Sequence, residues 1–186
     1  MYDVIIIGAG PAGASAALFT ARAKKKTLVI DNDKGLTKRA WMDNHYGAPA
    51  ISGPDLIATG KKQAEQFGAE IKEATATNIT KTDDGFEVET DAGNFKGKYV
   101  ILATGISLDL AEKIGIKTKE GTEPRIQKVL DVDADGKTNI DGIWACGTAA
   151  GVSVHTIITA GHGAHVAINL ISEMNGERYV DHDILK

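Results

Sequence analysis

The chain has 186 residues, 42% hydrophobic and 25% charged, with a formal net charge of −4, which is room for one domain with a real core and not comfortably two. The negative balance argues against nucleic acid and anionic membrane surfaces as partners. One cysteine, Cys146, excludes an internal disulfide, a CxxC redox pair and a cysteine-rich zinc site, and fits a reducing, cytoplasmic compartment.

Residues 3–7 are dominated by β-branched apolar side chains, the pattern of a parallel strand buried on both faces. A glycine turn follows, then a small-residue helix over about 11–23. Lys24, Lys25 and Lys26 lie at its C-terminal end, where cations suit the dipole. The run Val4–Ala23 has Asp3 instead of a basic leader and is broken by Gly8, Gly10, Pro11 and Gly13, so it is not read as an export signal. No other stretch is long and apolar enough to span a membrane. Thr27–Ile30 is the second parallel strand, which completes a right-handed βαβ unit.

Residues 34–53 lack periodicity and are expected to be a long loop. Ser52 then caps a helix with Gly53, Pro54 and Asp55 in its first turn. Leu56, Ile57, Ala64 and Phe67 are expected to form its apolar face, and Gly68 stops it. Short alternating segments over 70–102, separated by Asp83-Asp84-Gly85 and Asp91-Ala92-Gly93, predict a β-meander. Its last part, Tyr99–Leu102, is wholly apolar and rejoins the buried sheet. Residues 106–141 are polar and turn-rich. "GIWACG" (142–147) is one more buried strand, and a helix runs from about Val154 to Met174.

Gly8-x-Gly10-x-x-Gly13 leaves a strand and opens a helix, the context in which this spacing holds a dinucleotide. Gly8 permits the turn, Gly10 lets phosphate approach the backbone, and Gly13 lets the helix pack on the sheet. The helix N-terminus presents N–H groups to the anion. Asp31 ends the second strand 23 positions after Gly8, close to the ~20 expected of a ribose-binding acid. A carboxylate there accepts ribose hydroxyls and disfavours a 2′-phosphate. The spacing does not say which dinucleotide is bound.

The combination "GAGPAG" (8–13), "YVILATG" (99–105) and "GIWACGTAAG" (142–151) resembles the FAD domain of the two-dinucleotide-domain flavoprotein reductases, and most closely the low-molecular-weight thioredoxin reductases. Residues 51–71 resemble that family's helix after the first FAD loop, and residues 155–171 its closing helix. The resemblance implies a doubly wound α/β domain, a Rossmann-like FAD-binding domain over 1–186 with an inserted β-meander, and a homodimer. It places Gly8, Gly10, Pro11, Ala12 and Gly13 on the pyrophosphate and Asp31 on the adenosine ribose. It places the backbone near Ala76 at the adenine, and Ala103, Thr104 and Gly105 beside the nucleotide. Asn44 is similar to a loop asparagine that reaches the FAD. Gly147 and Thr148 would approach the second phosphate and ribityl chain. His155 and Thr156 would set a helix N-terminus against the flavin, where a positive dipole end stabilises negative charge on the ring.

Three departures from that family matter. Only residues 106–141 lie where it inserts an NADPH domain, too few for a second dinucleotide fold. The CxxC of that domain is absent. Thr148 stands where the family has an aspartate, and loss of one such bond costs about 1–2 kcal/mol. The expected activity is therefore electron or hydride transfer by an FAD flavoprotein that draws on a diffusible donor or a protein redox partner. A non-catalytic FAD-binding module, either a sensor or a subunit of a larger complex, is the alternative, and an NAD-binding domain without flavin is the third reading. His155 is the candidate general acid, weighed equally against a plain helix-start residue. His162 and His165 are read as a packed or solvent-facing pair, Cys146 as a small core residue, Trp41 as a packing residue rather than a flavin stack, and Asp133-Ala134-Asp135-Gly136 as a turn. No metal site is expected.

Overall fold

Val4, Ile5 and Ile6 are completely buried, because the strand they form, β1 (Tyr2–Ile7), lies inside a seven-stranded sheet and is covered on both faces. The computed structural model describes residues 1–184. The sheet runs β5 (Glu70–Glu73), β2 (Thr27–Asp31), β1, β8 (Gly93–Leu102), β7 (Gly85–Thr90), β6 (Ala76–Thr82), with β11 (Ile143–Ala145) also paired to β8. β1 pairs in parallel with β2 and β8, which sets Ile6 opposite Val29 on one side and Ile101 on the other.

Residues 70–73 depart from the meander expected of them. They form β5, a parallel edge strand on β2. A half-exposed edge strand alternates as a meander strand does, so the pattern does not separate the two. The meander itself is not a separate module. β8 is one continuous strand whose first half pairs antiparallel with β7 and whose last residues, Val100–Leu102, pair in parallel with β11.

On one face of the sheet lie α1 (Pro11–Arg22), α2 (Gly53–Gln66) and α4 (Thr156–Asn175), packed over Val4, Ile6, Val29, Ile101 and Trp144. α1 and α4 approach backbone to backbone, since a Cβ on Gly163 would lie 2.0 Å from the Ala12 carbonyl oxygen. On the other face Ile5, Ile7, Leu28 and Leu102 meet Phe86 and Val88 of the meander. That core continues into α3 (Asp109–Lys113) and the hairpin β9 (Thr118–Glu120)–β10 (Lys128–Leu130), through Leu108, Ala111, Ile116 and Leu130. Residues 106–141 thus contribute more core than their polar composition suggests.

The loop expected over 34–53 carries a 3-10 turn at Leu36–Arg39 and a two-residue strand pair, β3 (Trp41–Met42) and β4 (Ile51–Ser52). Met42 is buried at 4% and Trp41 is 68% exposed, which overturns the reading of Trp41 as a core residue. Neighbours in a strand face opposite ways, and Met42 holds the inward place. Ser52 caps α2 as expected: its Oγ accepts from Asp55 N at 3.2 Å and donates to Asp55 Oδ2 at 2.6 Å. Phe67, expected on the apolar face of α2, is partly exposed beneath the Arg22 guanidinium, 5.4 Å from its ring centre.

Candidate functional site

The parallel strands β1, β2, β8 and β11 all end at one edge of the sheet, and the residues singled out by sequence gather along it. Gly8 follows β1 with φ +102, and a Cβ there would lie 2.5 Å from the Ala103 carbonyl oxygen. Gly13 is tighter still, with a Cβ 1.9 Å from the Gly8 oxygen. Gly10 is the opposite case, since among the described residues no heavy atom beyond its chain neighbours lies within 4 Å of where its Cβ would be. Gly10 also precedes α1 without a side-chain cap, and Pro11 supplies no N–H. The first-turn N–H groups of Ala12 and Gly13 have no intrahelical acceptor. The turn is closed where the backbone packs and open where an anion would approach.

Asp31 closes β2. Its carboxylate accepts from Ala9 N, inside the glycine turn, at 3.1 Å and from Lys61 Nζ, on α2, at 2.6 Å. Ala74 N donates to the Asp31 carbonyl at 3.0 Å, which brings the chain entering β6 at Ala76 beside the same corner. Ala103 N donates to Ile7 O at 2.9 Å, so Ala103, Thr104 and Gly105 leave β8 against the glycine turn. Thr104 Oγ1 is buried with no hydrogen-bond partner among the described residues. A buried orphan hydroxyl is rare in a folded protein and calls for an acceptor or donor supplied from outside the chain.

Gly147 opens a 3-10 turn, Gly147–Ala150, after β11. Its φ is +71, and a Cβ would meet the Ala12 side chain at 2.6 Å, so this turn abuts the start of α1. Its N–H is already engaged, donating to His162 Nδ1 of α4 at 3.0 Å. Thr148 is half-buried in the same turn. His155 stands as the exposed residue before α4, with Nδ1 2.8 Å from Ser153 Oγ. Thr156 Oγ1 lies 2.9 Å from His45 Nδ1, which ties the loop carrying Asn44 to the first turn of α4. Asn44 itself is exposed.

Three of these contacts are not expected from the sequence: Lys61 on Asp31, His162 on Gly147 and His45 on Thr156. The sequence reads His162 as one of a packed or solvent-facing pair and gives no sign of its bond to Gly147. Its ring stacks on His165 with centroids 6.0 Å apart, and burial, with a smaller contribution from His165, holds its pKa below the ordinary 6.5. A neutral ring is what an Nδ1 acceptor requires. Cys146 is fully buried, and burial pushes its thiol up to about 12. Asp133 Oδ1 accepts from the N–H groups of Asp135 and Lys137, the turn expected there. Among the described residues no group of three or more His, Cys, Asp or Glu is arranged to hold a metal, and no helix is long and apolar enough to cross a membrane.

The sequence model for pyridine nucleotide-disulphide oxidoreductases matches residues 2–110 and 48–168. The chain belongs to that family. Among its relatives in the family, the thioredoxin reductase of Peptoclostridium litorale is 38% identical over 139 residues, covering 73% of this chain and 44% of that protein. The thioredoxin reductase of Aquifex aeolicus is 42% identical over 112 residues, covering 56% and 34%. The chain thus spans less than half the length of these relatives. In fold it is similar to the atypical thioredoxin reductase TRi of Desulfovibrio vulgaris Hildenborough, with a TM-score of 0.83 at 22% identity over 95% of this chain and 99% of that one. A thioredoxin reductase of Gloeobacter violaceus gives 0.80 at 20% identity over 99% of each chain. The α/β sheet with its inserted meander is thus the family's fold.

Proposed function

We propose that the chain binds FAD along the carboxyl edge of the sheet and acts as an electron- or hydride-transfer flavoprotein. The observation that carries this reading is the buried, unpartnered Thr104 hydroxyl, on the chain that leaves β8 against Gly8 of the glycine turn. Gly8, Gly10, Pro11, Ala12 and Gly13 would hold the pyrophosphate, and Asp31 the adenosine ribose, with the backbone near Ala76 at the adenine. Ala103, Thr104 and Gly105 would line the middle of the site. Gly147, Thr148 and Asn44 would lie toward the ribityl chain, with His155 and Thr156 at the ring. The Gly147 N–H is bonded to His162, so this turn would offer its later N–H groups and the Thr148 hydroxyl. Bound FAD supplies reversible acceptance of a hydride or of single electrons. The chain's own contribution is orientation and charge. The α4 N-terminus offers positive potential at the ring end, and His155, its Nδ1 held by Ser153, leaves Nε2 as the ring atom for proton exchange.

The reducing equivalents would come from a diffusible donor or a protein partner. The interval between Gly105 and Ile143 is filled by α3 and the β9–β10 hairpin, whose apolar side chains pack into the core, and the single cysteine is buried. We read residues 1–186 as one FAD-binding unit that assembles as a homodimer in the cytoplasm. The same two observations favour, as second reading, a non-catalytic FAD-binding module of a larger complex.

Purification with a flavin absorbance spectrum, followed by titration with NADH, NADPH and dithionite, tests these readings. Bleaching by dithionite alone identifies a redox flavoprotein that requires a partner. Tightly held FAD without oxidase, diaphorase or partner-coupled turnover identifies the module. A protein that stays colourless in excess FAD removes both.

A further inference from the structure

We infer that Lys61 of α2 is a positioning residue for the nucleotide's ADP half, holding the Asp31 carboxylate where it reads the ribose. This rests on the dinucleotide reading of the glycine turn. Asp31 is buried, with its side chain 12% exposed, and Lys61 is half-buried, with its side chain 24% exposed. Their atoms lie 2.6 Å apart, the geometry of a charge-assisted hydrogen bond.

The two carboxylate oxygens have separate partners. Oδ1 accepts from Ala9 N of the glycine turn, and Oδ2 accepts from Lys61 Nζ. A carboxylate oxygen has room for about two hydrogen bonds, so each oxygen keeps one acceptor position for a ribose hydroxyl. Three elements thus meet in one side chain: the turn fixes one oxygen, α2 fixes the other, and β2 carries the carboxylate between them. Without Lys61 only the Ala9 contact would orient the group.

Lys61 also sets the charge of this corner. Asp31 is buried, and a bare carboxylate there would be left under-solvated. Lys61 supplies the compensating charge and lies 3.9 Å from Asp33 Oδ1, while Asp33 Oδ2 is paired with Lys38. The corner therefore alternates in sign, and Lys61 is its innermost cation. α2 is held in place independently of this pair, through the Ser52 cap and the Gly53 N–H to the Ala40 carbonyl at 2.8 Å. Loss of the amine alone should leave the helix standing.

The test compares ligands that do and do not offer ribose hydroxyls. Dissociation constants for FAD, ADP and 2′,3′-dideoxyadenosine diphosphate are measured by calorimetry on the wild type, Lys61→Met and Lys61→Arg, with melting curves alongside. In Lys61→Met, FAD and ADP should each weaken about tenfold, whereas the dideoxy analogue should change less than about threefold, because it gives Asp31 nothing to accept. Lys61→Arg keeps the cation and should stay within about threefold for all three ligands. Unchanged FAD and ADP affinity in Lys61→Met overturns the inference. So does equal weakening for all three ligands, which marks a general structural or electrostatic role. Should Lys61→Met fail to fold, Lys61→Gln and Lys61→Arg take the same comparison, and a Lys61→Gln protein that still prefers ADP over the dideoxy analogue as the wild type does overturns it. A wild type that binds neither FAD nor ADP removes the nucleotide reading and this inference together.

Discussion

His162 Nδ1 accepts the N–H of Gly147 at 3.0 Å, so one imidazole on α4 fixes the turn that follows β11. The ring can do this only while Nδ1 is unprotonated, and its folded pKa lies below the ordinary 6.5 because burial disfavours the cation. Between the folded pKa and 6.5 the unfolded chain binds more protons than the folded one, so stability rises with pH across that window. The contribution is complete above pH 6.5 and is lost as pH falls below it. Melting temperatures at pH 7.5, 6.5 and 5.5 should fall toward acid, and His162→Asn should flatten the fall. An equally steep fall in the variant would remove His162 as its source.

Gly10 and Gly13 should respond oppositely to one added methyl. Gly10 has an extended backbone, with φ −65 and ψ −177, and open space around its Cβ direction. Gly10→Ala should leave the melting temperature near that of the wild type, and, if phosphate approaches the turn there as proposed, should weaken FAD more than tenfold, on the order of 2 kcal/mol. Gly13→Ala drives a Cβ to 1.9 Å from the Gly8 oxygen and should cost about 3 kcal/mol of stability with or without ligand. Paired denaturation and binding curves separate the two effects.

Thr104→Val removes a buried hydroxyl that has no partner. The ligand-free protein should gain about 1 kcal/mol, since an unsatisfied polar group is replaced by a near-isostere. Affinity for FAD should fall in the same variant if the hydroxyl serves the ligand. A loss of ligand-free stability would show that it is satisfied within the fold.

Thr148→Asp restores charge at the position where the family resemblance expects an aspartate. Cofactor binding should tighten by about tenfold if that turn meets the ribityl chain, the difference between a neutral and a charge-assisted hydrogen bond. Flavin fluorescence quenching reads this directly, and unchanged affinity would place the turn away from the ligand.

Cys146 should resist thiol reagents in the native protein. It is fully buried and its thiol is pushed up to about 12, so almost no thiolate is present near neutral pH. Labelling by N-ethylmaleimide should appear only on unfolding, and Cys146→Ala should leave any flavin-dependent activity intact.

The sequence alone determined the strand–glycine turn–helix unit, the apolar strands at Thr27–Ile30 and Tyr99–Leu102, the Ser52 cap and the closing helix. Each is written in local chemistry: β-branched runs, glycines at fixed spacing, and a hydroxyl three residues before an acid. The edge of the sheet where the candidate residues gather was also legible, because parallel strands place their carboxyl ends together. What only the tertiary structure decided were the partners. Glu70–Glu73 could not be told from a meander strand, because alternation marks a half-exposed strand without naming its neighbour. Trp41 and Met42 are both apolar, and only the pairing of β3 with β4 sends one outward. Lys61 and Asp31 lie 30 residues apart and His162 and Gly147 15 apart. No short-range pattern encodes those distances. A hydrogen bond between distant residues exists only after the sheet and its helices have fixed both ends in space.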